Sequence, residues 1–391
     1  MSATRRLSTL RDVPILSEQK TLLLRPELTD PVEYRKSGLS LNHIIGCPLD
    51  CAYCVRHLFD NFQMREPHAL MSDSHAVEYL VQHPYFVPHR TPLQVFNRAT
   101  DPFLGEVKSH TFAVLEDLDR RGLRNNVLVI TRYRVTKKDC ARLNTLCSIK
   151  LTLLITYSGI VDNRIEPIAS DIAIKSLHTA YEHSGRYRVI LYWRPIVPGL
   201  NDYDDDIRRA RELSLRAHAT VFSGLFYRNE IRAYYQSIGL PEPYTDVARR
   251  KILPESTEAR IIEAFAHGPA GTLFRKTSCG VCYAHGVPDY NGHYGIQEVC
   301  DICPPEQVVR CAGAHKMPSL EDVTSLAKQV GDVRVVQITP RAVVLDGFNE
   351  QQRYFMQHAF AFQFHDLSKP HRFRRHGRAE VGWEHVEPDH R

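Results

Sequence analysis

The sequence predicts an α/β fold built on a parallel sheet, followed by a smaller cysteine-rich α+β region. Three observations predict it. From about residue 39 to 227, short apolar runs rich in β-branched and aromatic residues alternate with amphipathic stretches, the pattern of repeated β/α units. That rhythm breaks after Phe226, where Pro241, Pro243 and Pro254 punctuate the chain. Eight of the ten cysteines fall in two groups, three at 47–54 and five at 279–311.

The apolar runs are 39–45, 93–96, 127–130, 151–155, 189–193 and 220–222, each short enough for a buried parallel strand. Ala76, Tyr79 and Leu80 mark the first intervening helix. Val107, Thr111, Val114, Leu115 and Leu118 mark the second, stopped by Gly122. Thr136 caps a third helix carrying Leu143 and Leu146, and Ser170 caps a fourth running through Leu177 and Tyr181. Asp204 starts a fifth, with Ile207, Ala210 and Leu213 at helical spacing. Cys140 and Cys147, seven residues apart, read as core residues on one face of the third helix. Further on, a helix is expected over 256–267, a hairpin from 333–338 and 342–345, and a helix over 349–360. The chain therefore divides into an N-terminal extension (1–37), a β/α core (38–240), a linker with a cysteine-rich module (241–330) and a small α+β segment (331–391) ending in a basic tail.

A chain of 391 residues with 43% hydrophobic and 24% charged residues is ordinary for a globular protein of two or three domains. It has no apolar run of about 18 residues, so no membrane-spanning helix is expected. Met1-Ser2-Ala3-Thr4-Arg5-Arg6 is basic but has no apolar stretch behind it, so no secretory signal is expected. The net charge of +5 permits an anionic partner without demanding one. Clustered cysteines read as metal ligands rather than disulfides, which implies a reducing, cytoplasmic compartment.

The first group is Cys47-x3-Cys51-x2-Cys54, directly after the first strand and so at the carboxyl end of the sheet, where parallel α/β folds place their sites. Three thiolates can hold three irons of a [4Fe–4S] cluster and leave the fourth open. A zinc site completed by His43 or His57 is the structural alternative. The second group, Cys279-x2-Cys282 and Cys300-x2-Cys303, has seventeen residues between its pairs, a spacing that suits four-thiolate zinc. An auxiliary iron–sulfur cluster is the other reading, for which Cys311 offers a fifth thiolate. His285, His293 and His315 lie nearby and read as incidental in a chain with 20 histidines. Arg275, Lys276, Lys316 and the tail from Lys369 to Arg375 are compatible with phosphate contact, although a solvated surface is the commoner reading of such charge.

The first motif, in its β/α setting, resembles the radical S-adenosylmethionine enzymes. That resemblance implies a partial (β/α)6 barrel and a [4Fe–4S] cluster held by Cys47, Cys51 and Cys54. It implies S-adenosylmethionine on the open iron, cleaved to a 5′-deoxyadenosyl radical that abstracts hydrogen, and a reductant such as flavodoxin or ferredoxin. Within that family the chain resembles the spore photoproduct lyase-like proteins, through Thr100-Asp101-Pro102, Ile130-Thr131-Arg132, Tyr157-Ser158-Gly159, Glu166-Pro167 and Arg194-Pro195. By that resemblance Tyr53, Thr100, Asp101, Thr131, Ser158, Glu166 and Arg194 contact the cofactor. One departure stands out. Where the lyases carry a hydrogen-donor cysteine, this chain has Asn97-Arg98-Ala99, so the lyase reaction itself is not implied and no catalytic residue is assigned. The substrate expected is a nucleic acid, a nucleotide-like compound or a natural product. The alternatives are a peptide maturase of the same family or a non-enzymatic zinc protein that binds nucleic acid.

Overall fold

The protein is described here by a computed structural model covering residues 13–247 and 251–367. Its strands are β1 (Val32–Arg35), β2 (Gly38–Leu41), β3 (Ile44–Ile45), β4 (His68–Ala69), β5 (Leu93–Val95), β6 (Asn126–Thr131), β7 (Lys150–Tyr157), β8 (Arg188–Ile196), β9 (Ala219–Gly224), β10 (Leu273–Phe274), β11 (Arg334–Ile338), β12 (Ala342–Asp346) and β13 (Gln363–Asp366). Eight of them form one sheet in the order β1-β2-β5-β6-β7-β8-β9-β10. Every neighbouring pair is parallel except β1–β2. The six expected strands are all present, in chain order, as β2 and β5–β9. The sheet stays open between β1 and β10.

Two strands flank the expected set. β1 comes from the N-terminal extension and buries Tyr34, and β10 adds a parallel edge from the cysteine-rich half. The expected first strand over 39–45 is split in two. Asn42 leaves the ladder because its backbone N–H bonds Pro31 O at 2.6 Å and its side chain bonds Ser40 Oγ at 2.8 Å. The chain then re-forms as β3, which pairs with β4.

Alternation along the parallel strands sends side chains to two different layers. Val127, Val129, Leu151, Leu153, Ile155, Val189, Leu191 and Trp193 face the five expected helices, here Asp73–Val81, Lys108–Arg120, Lys137–Leu143, Ser170–Glu182 and Asp204–Ser214. Leu128, Leu154, Ile190, Tyr192 and Val221 face the other way, against Phe274, Val281, Cys282, Tyr290, Ile296 and Val299. The cysteine-rich segment is thus the second layer of the sheet. Gly280 allows that contact, since a Cβ there would sit 2.6 Å from Val221 Cγ2. Near the carboxyl ends the same face turns polar, through Thr156, Ser158, Arg194 and Ser223.

The C-terminal part contains the expected hairpin β11–β12 and helix Glu350–Phe360, with β13 added in parallel to β12. His358 on that helix joins it to the main sheet: its ring nitrogens lie 3.0 Å from Tyr34 Oη and 2.7 Å from Asn291 Oδ1. Cys140 is buried in its helix, but that helix ends at Leu143 and Cys147 is exposed beyond it, so only Cys140 is a core residue. No helix among the described residues is long and apolar enough to cross a membrane.

Candidate functional site

The first cysteine loop leaves β3 through Gly46, whose φ of +95° and close approach to Glu66 O, 2.2 Å from an added Cβ, admit only glycine. Cys47 N–H bonds Met64 O at 2.9 Å and Cys54 N–H bonds Cys51 O at 3.0 Å, which folds the loop back on itself. Arg56, fully buried, clamps it by donating to Leu49 O at 2.7 Å and Met64 O at 3.1 Å. Cys47 and Cys51 are buried and Cys54 is half-buried. Burial pushes the thiols of Cys47 and Cys51 up, and Cys51 is raised further by Glu166, Cys54 and Cys47 against the opposing charge of Arg132.

The loop offers three thiols, one ligand fewer than a closed tetrahedral zinc site takes. Among the described residues, only Cys279, Asp289 and His293 form a metal-donor trio with all donor atoms within 4.8 Å of one another. His43 Nε2 lies 2.8 Å from Asp73 Oδ1. His57 stacks on Phe62.

The loop is joined to the strand ends by a buried polar network. Ala52 N–H bonds Ile165 O at 3.0 Å. Tyr53 Oη donates to Glu166, which also accepts from Ser158 Oγ at 3.1 Å and from Arg132 Nη1 at 3.1 Å; Arg132 also bonds Tyr53 Oη. Asp101 accepts from Thr131 Oγ1 at 2.6 Å, from Arg132 N at 2.9 Å and from Phe103 N at 2.9 Å. Five of the seven expected cofactor residues therefore share one network: Tyr53, Asp101, Thr131, Ser158 and Glu166. Asp101 takes three donors, and burial still holds its carboxyl above the usual range. Thr100 lies beside the network with a buried hydroxyl that has no protein partner. That orphaned donor is what a site built for a polar ligand leaves open.

Arg194 is placed differently. It follows the last ladder pair, Tyr157–Trp193, and so stands beside Ser158, but its guanidinium folds back to bond Tyr192 Oη at 3.0 Å. Arg132 is the residue missed from sequence. Its signal was there, directly after Thr131 at a strand end, but its role depends on Tyr53 and Glu166, distant in the chain. Burial alone would lower its pKa; Cys51, Tyr53, Glu166 and Asp101 hold it well above the ordinary value.

The second cysteine group lines a cavity of about 20 Å³ formed by Cys279, Cys300, Cys303 and Cys311 with Asp289 and His293. Cys279 Sγ lies 3.8 Å from His293 Nδ1, which is 2.9 Å from Asp289 Oδ2. Cys282 does not line this cavity. It is fully buried in the apolar layer beneath the sheet, next to Cys279 on helix Thr277–Ala284, and Cys311 lines the cavity instead. His293 belongs to the site, whereas His285 bonds Thr152 at 2.9 Å and His315 stacks on Phe362. Burial pushes all four cavity thiols up, Cys303 to about 12. Arg275 is not a phosphate contact, because it is buried against Glu258 at 2.5 Å and also pairs with Asp301. The tail from 369 to 375 lies outside the described residues.

No protein-family model matches the sequence and no curated protein matches it. In three dimensions the chain is similar to solved structures of two kinds. One is spore photoproduct lyase: a variant at 14% identity covers 68% of this chain and 87% of that one with a TM-score of 0.46. The lyase complexed with dinucleoside spore photoproduct has 16% identity, covers 63% and 79%, and gives a TM-score of 0.44. The other is Streptococcus suis SuiB bound to S-adenosylmethionine, at 10% identity, covering 66% of this chain and 54% of that one with a TM-score of 0.40.

Proposed function

We propose that this protein is a radical S-adenosylmethionine enzyme. The observation that carries the reading is the coupling of a buried three-thiol loop, at the carboxyl end of a parallel sheet, to the Tyr53–Arg132–Glu166 network. When bound, a [4Fe–4S] cluster with S-adenosylmethionine supplies a 5′-deoxyadenosyl radical for hydrogen abstraction.

The chain's own residues hold and shape the site. Cys47, Cys51 and Cys54 would ligate the cluster, and each must lose its proton to do so, against the burial that favours the thiol in Cys47 and Cys51. Positive charge offsets part of that cost, from Arg56 at Cys47 and from Arg132 at Cys51. Tyr53, Ser158 and Glu166 orient the wall above the loop, and Thr100 Oγ1 is free to bond the cofactor. Asp101 and Thr131 fix the turn that aims Arg132. The cofactor does the hard chemistry, and the apolar layers exclude water from it. With no cysteine at 97–99, hydrogen return to a product radical needs another donor.

The second cavity is read as a metal centre with Cys279, Cys300, Cys303 and Cys311 as thiolate ligands and His293 and Asp289 beside them. Its size suits one ion, which favours zinc. The function is tested by reconstituting the cluster anaerobically and measuring 5′-deoxyadenosine after adding S-adenosylmethionine and dithionite. Cofactor cleavage supports the enzyme; metal content of zinc alone with no cleavage refutes it.

A further inference from the structure

Beside the proposed radical site, the polar end of the sheet carries positive charge that no carboxylate among the described residues pairs with. Arg194 Nη1 bonds Tyr192 Oη at 3.0 Å, with its guanidinium carbon 4.4 Å from the ring centroid. Lys251 Nζ lies 5.8 Å from the same ring and donates to Ser223 Oγ at 3.1 Å. Tyr192 Oη also lies 3.1 Å from Thr277 Oγ1. Among the described residues neither Arg194 nor Lys251 has a carboxylate partner. Thr156 pairs directly with Tyr192 across the β7–β8 ladder, and its buried hydroxyl has no hydrogen-bond partner among the described residues. Arg194 and Lys251 are half-buried, so their lack of a carboxylate costs part of what full burial would, and the orphaned hydroxyl of Thr156 is fully buried. An oxyanion among them would relieve both costs.

We infer that Arg194, Lys251, Thr156 and Tyr192 form a binding site for the phosphate monoester of the substrate. This deepens the radical enzyme reading and rests on it for the word substrate. Two considerations select a monoester. With Tyr192 protonated, a carboxylate or a phosphodiester brings one negative charge and leaves one of the two cations unmatched. A phosphate monoester, whose second pKa is about 6, brings nearly two charges at pH 7 and three acceptor oxygens. The electrostatics agree. Burial would raise the Tyr192 hydroxyl, yet Arg194 and Lys251 outweigh it and pull it down to about 7. The location also fits, because Arg194 stands beside Ser158, one strand position from the network around Glu166. A substrate anchored here by its phosphate would present its remaining atoms to the cofactor side.

The test is calorimetric titration of the full, metal-reconstituted chain, without S-adenosylmethionine or reductant, using inorganic phosphate, AMP, a dinucleoside phosphodiester and acetate as probes. The wild type is expected to bind phosphate and AMP, and to bind the diester and acetate at least about tenfold more weakly, in keeping with one lost charge-assisted contact. Lys251→Gln and Arg194→Gln should each weaken AMP binding about tenfold or more, and Thr156→Val about threefold. Should Arg194→Gln lose its circular dichroism signal, Lys251→Gln and Thr156→Val decide the matter. No binding of phosphate or AMP by the wild type overturns the inference. So does equal binding of the diester or acetate, or AMP affinity unchanged in Lys251→Gln and Thr156→Val. The radical reading fails separately, through absence of cofactor cleavage, and the Cys47, Cys51 and Cys54 triple alanine variant should still bind AMP.

Discussion

Arg132 Nη1 lies 3.1 Å from Glu166 Oε2 at the centre of a buried network that reaches the first cysteine loop through Tyr53. Three segments far apart in sequence meet at this pair: the loop of 47–54, the end of β6, and the turn after β7. Glu166→Gln leaves Arg132 buried without its counter-charge. The variant should lose about 3–5 kcal/mol of stability in urea unfolding. Its affinity for S-adenosylmethionine should fall about tenfold or more by equilibrium dialysis. A variant as stable as the wild type would show that solvent already screens the pair.

Gly46 is a backbone requirement of the cluster loop, so Gly46→Ala should act on metal loading. The added Cβ meets Glu66 O at 2.2 Å and the backbone is left-handed, so the loop must move. Iron bound after reconstitution should drop well below the wild-type value while circular dichroism at 222 nm, outside this loop's influence, stays close to it. Full iron content in this variant would count against the loop geometry.

The cavity group assigns different roles to two cysteines that the spacing pattern treats alike. Cys311→Ser should lower bound metal at the second centre, measured by plasma mass spectrometry. Cys282→Ala should keep the metal and lose stability through the small space left in the apolar layer, about 1 kcal/mol. The reverse outcome would restore the ligand set of Cys279, Cys282, Cys300 and Cys303.

His358 makes stability depend on pH. Burial drives its pKa down to about 3, whereas in the unfolded chain it is about 6.5. The unfolded state therefore takes up a proton that the folded state refuses, and stability falls as pH drops below about 6.5 and continues to fall to about 3. Between pH 6.5 and 5 the loss from this group is about 2 kcal/mol. Urea unfolding at the two pH values measures it, and His358→Gln should reduce the slope by this one group's share, since burial also pushes His57 and His285 down to about 4.

Much of the fold was legible because it depends on local periodicity. All six parallel strands and the five helices between them follow from apolar spacing and caps such as Thr136, whose side chain does accept from Asp139 N. β1, β10 and β13 were not legible, since each is short and is defined only by the strand it pairs with. The thiolates of 47–54 were legible from spacing, and Tyr53, Asp101, Thr131, Ser158 and Glu166 do meet in space. Arg132 and Arg56 were missed because their partners are backbone carbonyls or residues remote in sequence. His293 read as incidental and Cys311 as a spare fifth thiolate because a Cys-x2-Cys pair looks like two ligands, whereas of Cys279 and Cys282 only Cys279 lines the cavity that His293 and Cys311 share. The cations Arg194 and Lys251 became informative only once the structure showed them over one tyrosine.

The central claim is that the loop of Cys47, Cys51 and Cys54 supports reductive cleavage of S-adenosylmethionine. Chromatographic measurement of 5′-deoxyadenosine from the anaerobically reconstituted protein with dithionite tests it most directly. The account predicts reductant-dependent product from the wild type and none from the triple alanine variant. Equal product from both, or none from a wild type carrying its full iron content, would contradict it.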